Sequence, residues 1–355
     1  MLRYVIKKIF YGFLVLLGVV SLVFFLFQGF GDPSRMVMGQ SGDSATQANI
    51  RKELYLINEK GENIPKFQQF LFYLNDISPI CIHSKNEIAK KKLKGIFIGG
   101  DKKLGLKIPY LRISYQSKRP VWNILMQALP GTIILASAAM LIAIILGIPL
   151  GVVAATKQNT WMDTSSVFGS IIGISAPSFF MGIIIAYLFG FVLSSWTGLH
   201  LSGSWMELDE VTGARRLSLQ NLILPAITLG IRPLAIITQL TRSAMLDVLD
   251  QDYMRTAYAK GLSKRKVVWK HGLKNALNPV ITAVTGWFAE LLAGAFFVEY
   301  IFGWQGLGKV TVDALEKLDY PVVMGAVLIA ATFFILVNIL ADILYGWVDP
   351  RVRIE

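Results

Sequence analysis

Asp252-Tyr-Met-Arg-Thr-Ala-Tyr-Ala-Lys-Gly261, followed by Leu262-Ser-Lys-Arg-Lys-Val-Val-Trp-Lys-His-Gly-Leu-Lys-Asn-Ala-Leu-Asn-Pro279, is a basic, glycine-punctuated connection between two apolar runs. Met254, Ala257, Tyr258 and Gly261 fall at i, i+3, i+4 and i+7, the spacing of one helix face. Asp252 and Arg255 fall on another. Ala257 and Gly261 make a flattened strip that lets another backbone approach closely. Gly261 is suited to end this helix in a left-handed conformation, and Ser263 to cap the next. Lys264, Arg265 and Lys266 at that next start oppose the helix macrodipole. They are poor choices for stability and good ones for contact with lipid phosphate or an acidic partner. A generic juxtamembrane loop on anionic lipid accounts for the charge but not for the Ala/Gly pattern, so a protein-docking surface is expected.

The runs around this connection set the class of the chain. It has 355 residues, 54% hydrophobic and 16% charged, with mean hydropathy +0.53. A hydrocarbon core of about 30 Å needs about 20 consecutive apolar residues in a helix. Six runs reach that length, near residues 9–30, 132–155, 164–193, 222–246, 280–302 and 322–345. The third is long enough to tilt or to include an interfacial turn. Arg3, Lys7 and Lys8 precede the first run, as in a signal peptide. That run is too long for one, and no small-x-small cleavage pattern follows before Asp32-Pro33, so it reads as an uncleaved membrane helix. The expected fold is all-α and polytopic, with six transmembrane helices and a long extracytoplasmic segment after the first.

The net charge of +12 would raise nucleic acid as a partner in a soluble protein. Here the charge flanks membrane spans, so it is explained by orientation in the bilayer, and no nucleic acid is expected. With the N-terminus inside, thirteen Lys and Arg fall on cytoplasmic stretches, seven of them from Arg255 to Lys274. The two short outer loops hold four: Arg215, Arg216, Lys309 and Lys317. Both termini are therefore expected in the cytoplasm. The expected organisation is a first helix over 1–30, an extracytoplasmic segment over 31–120, a five-helix core over 121–348 containing the cytoplasmic connection 247–279, and a tail over 349–355. Within the outer segment, 45–54 and 64–77 have helical character, the second with Pro65 near its start. Residues 108–115 alternate enough to be extended. The lysine-rich stretch with Gly99-Gly100 reads as a solvated excursion.

Candidate chemistry is sparse. The single cysteine, Cys81, excludes an intramolecular disulfide. His83, His200 and His271 are expected in loops, and Cys81-x-His83 lacks further ligands nearby, so no metal site is expected. Gly303-Trp-Gln-Gly-Leu-Gly308-Lys309-Val310 fits GxxxxGK, but a P-loop needs Ser or Thr where Val310 stands and must join a strand to a helix. It is rejected as a nucleotide site. An intramembrane serine protease would need a histidine within a span, and none is expected there.

Polar groups do fall within the runs: Arg232, Gln239, Arg242, Glu290, Glu299, Asn338 and Asp342. A charge at mid-membrane costs roughly 2.5–3.5 kcal/mol, so such groups face protein or water. Glu290 lies nearest the middle of its run and is the best candidate to line a path, with Glu299 and Arg242 as further candidates. Glu299 follows nine residues later, about half a turn out of phase at about 100° per residue, which argues against a paired-carboxylate centre. Asn338 and Asp342 share a face. Gly147 and Gly151 around Pro149, with Pro177, Pro225 and Pro233, are close-packing or helix-disturbing residues common in membrane helices.

Tyr253-x-Arg-Thr-Ala-x-Ala-Lys-Gly261 and Asn275-Ala-Leu-x-Pro279-Val-Ile resemble the EAA loop of permease subunits of ATP-binding-cassette importers for dipeptides, oligopeptides and nickel. Arg255 stands where the name-giving Glu stands in other branches, as is typical of the peptide branch. Arg119-Pro-Val-Trp122, Leu129-Pro130-x-Thr132, Leu146-Gly-Ile-Pro-Leu-Gly-Val152, Pro177-Ser-Phe179, Leu224-Pro-Ala-x-Thr-Leu-Gly230, Thr241-Arg242-Ser243, Val298-Glu299, Gly306-Leu-Gly308, Asp319-Tyr-Pro-Val322 and Asp349-Pro-Arg351 are similar to the family in order. In the outer segment, residues 71–75 and Ile113-Ser-Tyr115 are similar too, and roughly 79–106 departs as an insertion.

The resemblance implies the type I importer (MetI-like) permease fold in the bacterial inner membrane. It implies that the loop carries a coupling helix seated on an ATPase subunit, with Tyr253, Arg255, Thr256, Ala257, Ala259, Lys260, Gly261 and Ser263 at the contact. It also implies a second homologous permease, two ATPases that bind ATP and Mg, an extracytoplasmic solute-binding protein, and a peptide or related small solute as cargo. The chain itself is expected to be non-catalytic and to hold no cofactor. The competing readings are a self-contained channel or secondary carrier using Glu290, a membrane scaffold without transport, and nickel or another solute within the same family.

Overall fold

A computed structural model describes residues 2–28, 51–52, 56–58, 61–208 and 215–348. The protein is mostly helical. In chain order its main elements are α1 (Leu2–Gln28), α2 (Lys66–Ile77), β1 (Ile80–Ser84), α3 (Lys85–Lys90), β2 (Gly95–Ile98), β3 (Lys102–Lys107), α4 (Val121–Thr156), α5 (Trp161–Ser175), α6 (Ser178–Tyr187), β4 (Met206–Leu208), β5 (Arg215–Leu217), α7 (Gln220–Leu249), α8 (Asp252–Ala259), α9 (Leu273–Gly294), α10 (Phe296–Ile301), α11 (Leu307–Glu316) and α12 (Tyr320–Val348). They divide into two compact units, one of residues 1–12, 128–309 and 330–355, the other of 13–127 and 310–329.

Among the described residues, four helices are long and apolar enough to cross a membrane: Ile6–Phe27 of α1, all of α4 and α7, and Tyr320–Ile343 of α12. α5 and the helical stretch Ser178–Val192 qualify as a bent pair, with 107° between them. The bend falls where the third run contains Ala176-Pro177. Pro177 has no N–H to continue the helix, and it holds φ −60°, ψ 135°. The expected third span is thus a broken span or a re-entrant turn. The expected fifth span is divided as well, into α9 and α10 at Ala295. Lys274, Asn275, Asn278 and Glu290 dilute the apolar length of α9.

In the first unit the core lies where α4, α6, α7, α9 and α10 meet, around Leu135, Ala139, Ile237, Leu292, Phe302 and Trp304. Glycine lets α4 and α7 touch backbone to backbone. A Cβ on Gly151 would sit 2.6 Å from the Thr238 carbonyl oxygen, and one on Gly230 would sit 2.9 Å from that of Ala139. Outward-facing Leu141, Ile145, Leu146 and Leu150 of α4 remain exposed, as expected of a helix surface solvated by lipid tails.

The second unit contains the segment that joins α1 to α4. α2 forms as expected, with Pro65 at its N-cap, and its Tyr73 ring stacks on Phe24 of α1, 5.5 Å between centroids. The helical expectation for 45–54 lies outside the described residues except at 51–52. The lysine-rich stretch is not a solvated excursion. It folds as an antiparallel sheet of order β1-β3-β2, with Ile82 opposite Leu104 and Ile98 opposite the same Leu104. The extended strand expected at 108–115 ends instead at Lys107, and only Ile113 of that stretch pairs, with Pro120. His83 therefore lies in a strand, and His271 in a helical π-turn (Val267–Gly272), while His200 stays in a loop.

The sheet is held to α2 by its inner face. Asn75 donates to the Ile82 carbonyl (2.8 Å) and accepts from the Ile82 N–H (2.9 Å). Buried Lys107 donates to the carbonyls of Asp76 and Ser78. Buried Asp76 pairs with Lys91 and faces Arg112 at 3.8 Å. Two motifs some two hundred residues apart also meet here: Asp319, just before α12, accepts from the Ser114 hydroxyl (2.5 Å) and the Tyr115 N–H (2.9 Å).

Candidate functional site

α8 follows α7 after a break at Asp250-Gln251. It is only eight residues long, too short to be stable alone, and it is held by two side chains. Met254 is fully buried and Ala257 nearly so, packed on Val267 with Val248, Leu249 and Leu262 around them. The strip expected to face a partner thus splits: Met254 and Ala257 turn inward against their own chain, and Gly261 stays outside.

Gly261 has φ +75°, follows the C-cap residue Lys260, and has nothing within 4 Å of where a Cβ would stand. This is the left-handed helix end expected for it. Ser263 occupies the N-cap position of the next turn, but its side chain makes no capping hydrogen bond. Tyr253, Arg255, Thr256, Tyr258, Ala259, Lys260 and Ser263 are exposed, Arg255 at 78%. The Tyr253 hydroxyl accepts from the Asn275 side chain at 3.2 Å, tying α8 to the start of α9. Arg255 lies 3.6 Å from Asp252, a solvent-exposed pair that contributes little to stability. What α8 presents is therefore a rigidly seated, polar and cationic ridge ending in an uncovered glycine.

The membrane-run candidates separate into different roles. Glu299 is fully buried. Its carboxylate accepts from the Thr132 hydroxyl (2.6 Å), the Gly308 N–H (2.6 Å) and the Lys309 N–H (3.1 Å). The Thr132 oxygen accepts from the Leu307 N–H at 2.8 Å, and the Trp304 ring N–H donates to the Gly131 carbonyl at 2.9 Å. A Cβ on Gly306 would lie 2.4 Å from that carboxylate, and one on Gly308 would lie 2.5 Å from the Phe296 Cα. The GxxxxGK stretch is preceded by helix α10, and its amides close around a carboxylate of their own chain. Glu299 is thus buried and held by three hydrogen bonds within its own chain.

Arg242 makes a two-pronged pair with Asp163 of α5, at 2.5 and 2.8 Å, and Asp163 also accepts from the Asn159 N–H at 3.0 Å. That pairing gives Arg242 a structural partner that sequence reasoning missed. Its signal was Asp163, the single charged residue of α5, standing in the first turn. Asp342 likewise finds Lys8 at 2.8 Å. Glu290 differs: it is exposed, on a stripe of α9 with Thr282 and Gly286, and nothing lies within 4 Å of a Cβ on Gly286. Trp287, one turn away, carries the Arg232 guanidinium over its ring at 5.2 Å.

The sequence pattern of the family described as binding-protein-dependent transport system inner membrane component matches residues 147–354, more than half of the chain. The chain belongs to this family. Dipeptide transport system permease protein DppB of Escherichia coli K12 is 35% identical over 373 aligned residues, covering 99% of each chain. DppB of Haemophilus influenzae is 43% identical over 254 residues, 68% of this chain and 76% of its own. Glutathione transport system permease protein GsiC of Escherichia coli O6:H1 is 34% identical over 355 residues, again 99% of each. Among solved structures, the inward-facing MetNI methionine ABC transporter covers 64% of this chain and 97% of its own, at 16% identity and TM-score 0.49. As a member of the family the protein is a multi-pass membrane permease subunit of an ABC importer. The family match takes in α7, α8 and α9 through α12, and so includes every candidate residue named above.

Proposed function

We propose that this permease forms half of a translocation path for peptides or a related small solute, and that α8 couples the path to ATP hydrolysis by partner ATPases. The observation that carries the reading is the seating of α8: two buried side chains lock it to the end of α7 and leave Tyr253, Arg255, Thr256, Tyr258, Lys260 and Gly261 outward. A helix so held transmits force applied to its outer face. The complex would comprise a second, homologous permease, two ATPases holding ATP and Mg, and an extracytoplasmic solute-binding protein, with this chain non-catalytic. The peptide assignment is supported by the dipeptide and glutathione permeases among its relatives.

Six spans with both termini cytoplasmic fit this reading. Lys8 pairs with Asp342, Gly12 meets Ile335, and Phe27 packs on Tyr320, the pattern of antiparallel first and last helices and hence of an even number of crossings. Glu290 and Arg232 are the residues we assign to the path or to the second permease. They are exposed charges on helices of the membrane bundle, where lipid is a costly neighbour.

The test is Gly261→Arg in the assembled complex. Insertion and permease pairing are expected to persist, with at least a tenfold loss of substrate-stimulated ATP hydrolysis. Normal stimulation would overturn the coupling assignment. ATP-independent uptake by this chain alone in liposomes, abolished by Glu290→Gln, would favour a self-contained carrier instead.

A further inference from the structure

The outer sheet is built inside out. β1 and β3 pair Ile80 with Leu106 and Ile82 with Leu104; β3 and β2 pair Leu106 with Ile96 and Leu104 with Ile98. Alternation along each strand puts all six on one face, in two rows of three. Each is 57% to 74% exposed. The other face, turned to α2, carries Cys81, His83, Gly105 and Lys107, all buried. A slip of one residue would exchange the faces, yet Asn75, Asp76 and Lys107 fix the sheet with its polar side in. A large, continuous aliphatic face of this kind marks a contact surface.

We propose that this face lies on the bilayer, in the headgroup region of the leaflet at the outer end of α1, with neighbouring lysines on lipid phosphates. Three observations single out lipid as the occupant. The face is purely Ile and Leu, without the Tyr, Trp or Arg that protein interfaces concentrate. Exposed Lys94, next to β2, and Lys102 of β3 are in phase with that face, and exposed Lys85, Lys90 and Lys92 lie in the connection from β1 to β2. Lysine is the residue type that protein interfaces deplete and anionic lipid attracts. The sheet is also tethered beside the membrane. Phe24 and Phe25, in the last turn of the apolar stretch of α1, pack on Phe70 and Tyr73 of α2. Only two residues further along α2, about 3 Å of helix rise, Asn75 grips β1. α2 itself exposes Phe67 and Leu71, one turn apart. An apolar face edged by lysines at the end of a membrane helix is the chemistry of interfacial attachment.

The full-length chain, carrying Cys81→Ser and a single nitroxide-labelled cysteine at Ile82, Ile98 or Leu104, is placed in nanodiscs of phosphatidylcholine and phosphatidylglycerol. All three side chains are exposed, so each label leaves the inner face and the strand pairing intact. Collision with oxygen is expected to exceed collision with a water-soluble nickel chelate at all three positions. Water-like accessibility at all three would overturn the proposal. So would shielding that appears only when the partner proteins are added, which would make the occupant a protein. The readout involves neither substrate nor ATP, so it stands or fails separately from the coupling assignment.

Discussion

Two glycine-bearing loops in this chain do opposite things. Around Glu299, Gly306 and Gly308 are present because a carboxylate and a backbone occupy the space of their side chains. At the end of α8, Gly261 is present because of its positive φ, and the space beside it is open. One loop is closed on itself and fully hydrogen-bonded; the other is anchored from beneath and bare above. The first resembles a nucleotide-binding motif and uses its amides internally. The second resembles no catalytic motif and is the better candidate for contact with a nucleotide-hydrolysing subunit. A glycine is informative only together with what surrounds its missing Cβ.

The largest effect that would test this contrast is expected from Glu299→Ala. It strands the buried Thr132 hydroxyl and the Gly308 and Lys309 amides, at about 1–3 kcal/mol for each buried group left unpaired. Thermal unfolding in detergent should show a loss of stability that Glu299→Gln, which keeps one acceptor oxygen, partly restores. If Glu299→Ala were as stable as the parent and failed only in transport, Glu299 would belong to the path after all. Gly261→Ala should be milder, about 1–2 kcal/mol from the left-handed conformation alone. The same unfolding measurement checks it, and a loss as large as that of Glu299→Ala would mean that Gly261 is packed rather than open.

The smallest effect should come from acid, and away from both loops. Burial, aided by Lys91, holds His83 below the usual imidazole range, against the opposing pull of Asp76 and Glu87. Burial raises the Glu87 carboxyl, but the Ser84 N–H and hydroxyl together with Lys91 bring it below the ordinary carboxylate range. In both cases the folded state binds protons less readily than the unfolded chain. Their contribution is complete above the unfolded values, about 6.5 for His and 4.3 for Glu, and declines as pH falls through the folded ones. Hydrogen exchange corrected for intrinsic rates should show β1–β3 losing protection between pH 7 and 5 while α4 and α7 keep theirs. Equal loss in all of them would refute a local origin.

Much of the fold was legible because membrane helices obey local rules. Apolar length marked α1, α4, α7 and α12, Pro65 marked the start of α2, and Pro177 the break after α5. The left-handed Gly261 was legible for the same reason. The sheet was not, because lysine density in 85–103 masked the alternation of Ile80, Ile82, Leu104 and Leu106. The roles of the polar residues were not either. Arg242 finds Asp163 seventy-nine positions away, and Glu299 finds Thr132 at one hundred and sixty-seven. Periodicity carries no information about pairings at such separation. The inward turn of Met254 and Ala257 depends on Val267, which lies beyond the glycine that ends their helix.

The close approach of α4 and α7 bears on how a push would travel. Gly147, Gly151 and Gly230 bring the two backbones together without intervening side chains, and α8 is keyed to the end of α7 through Val248 and Leu249. A displacement delivered at α8 therefore meets a two-helix strut rather than a single springy rod.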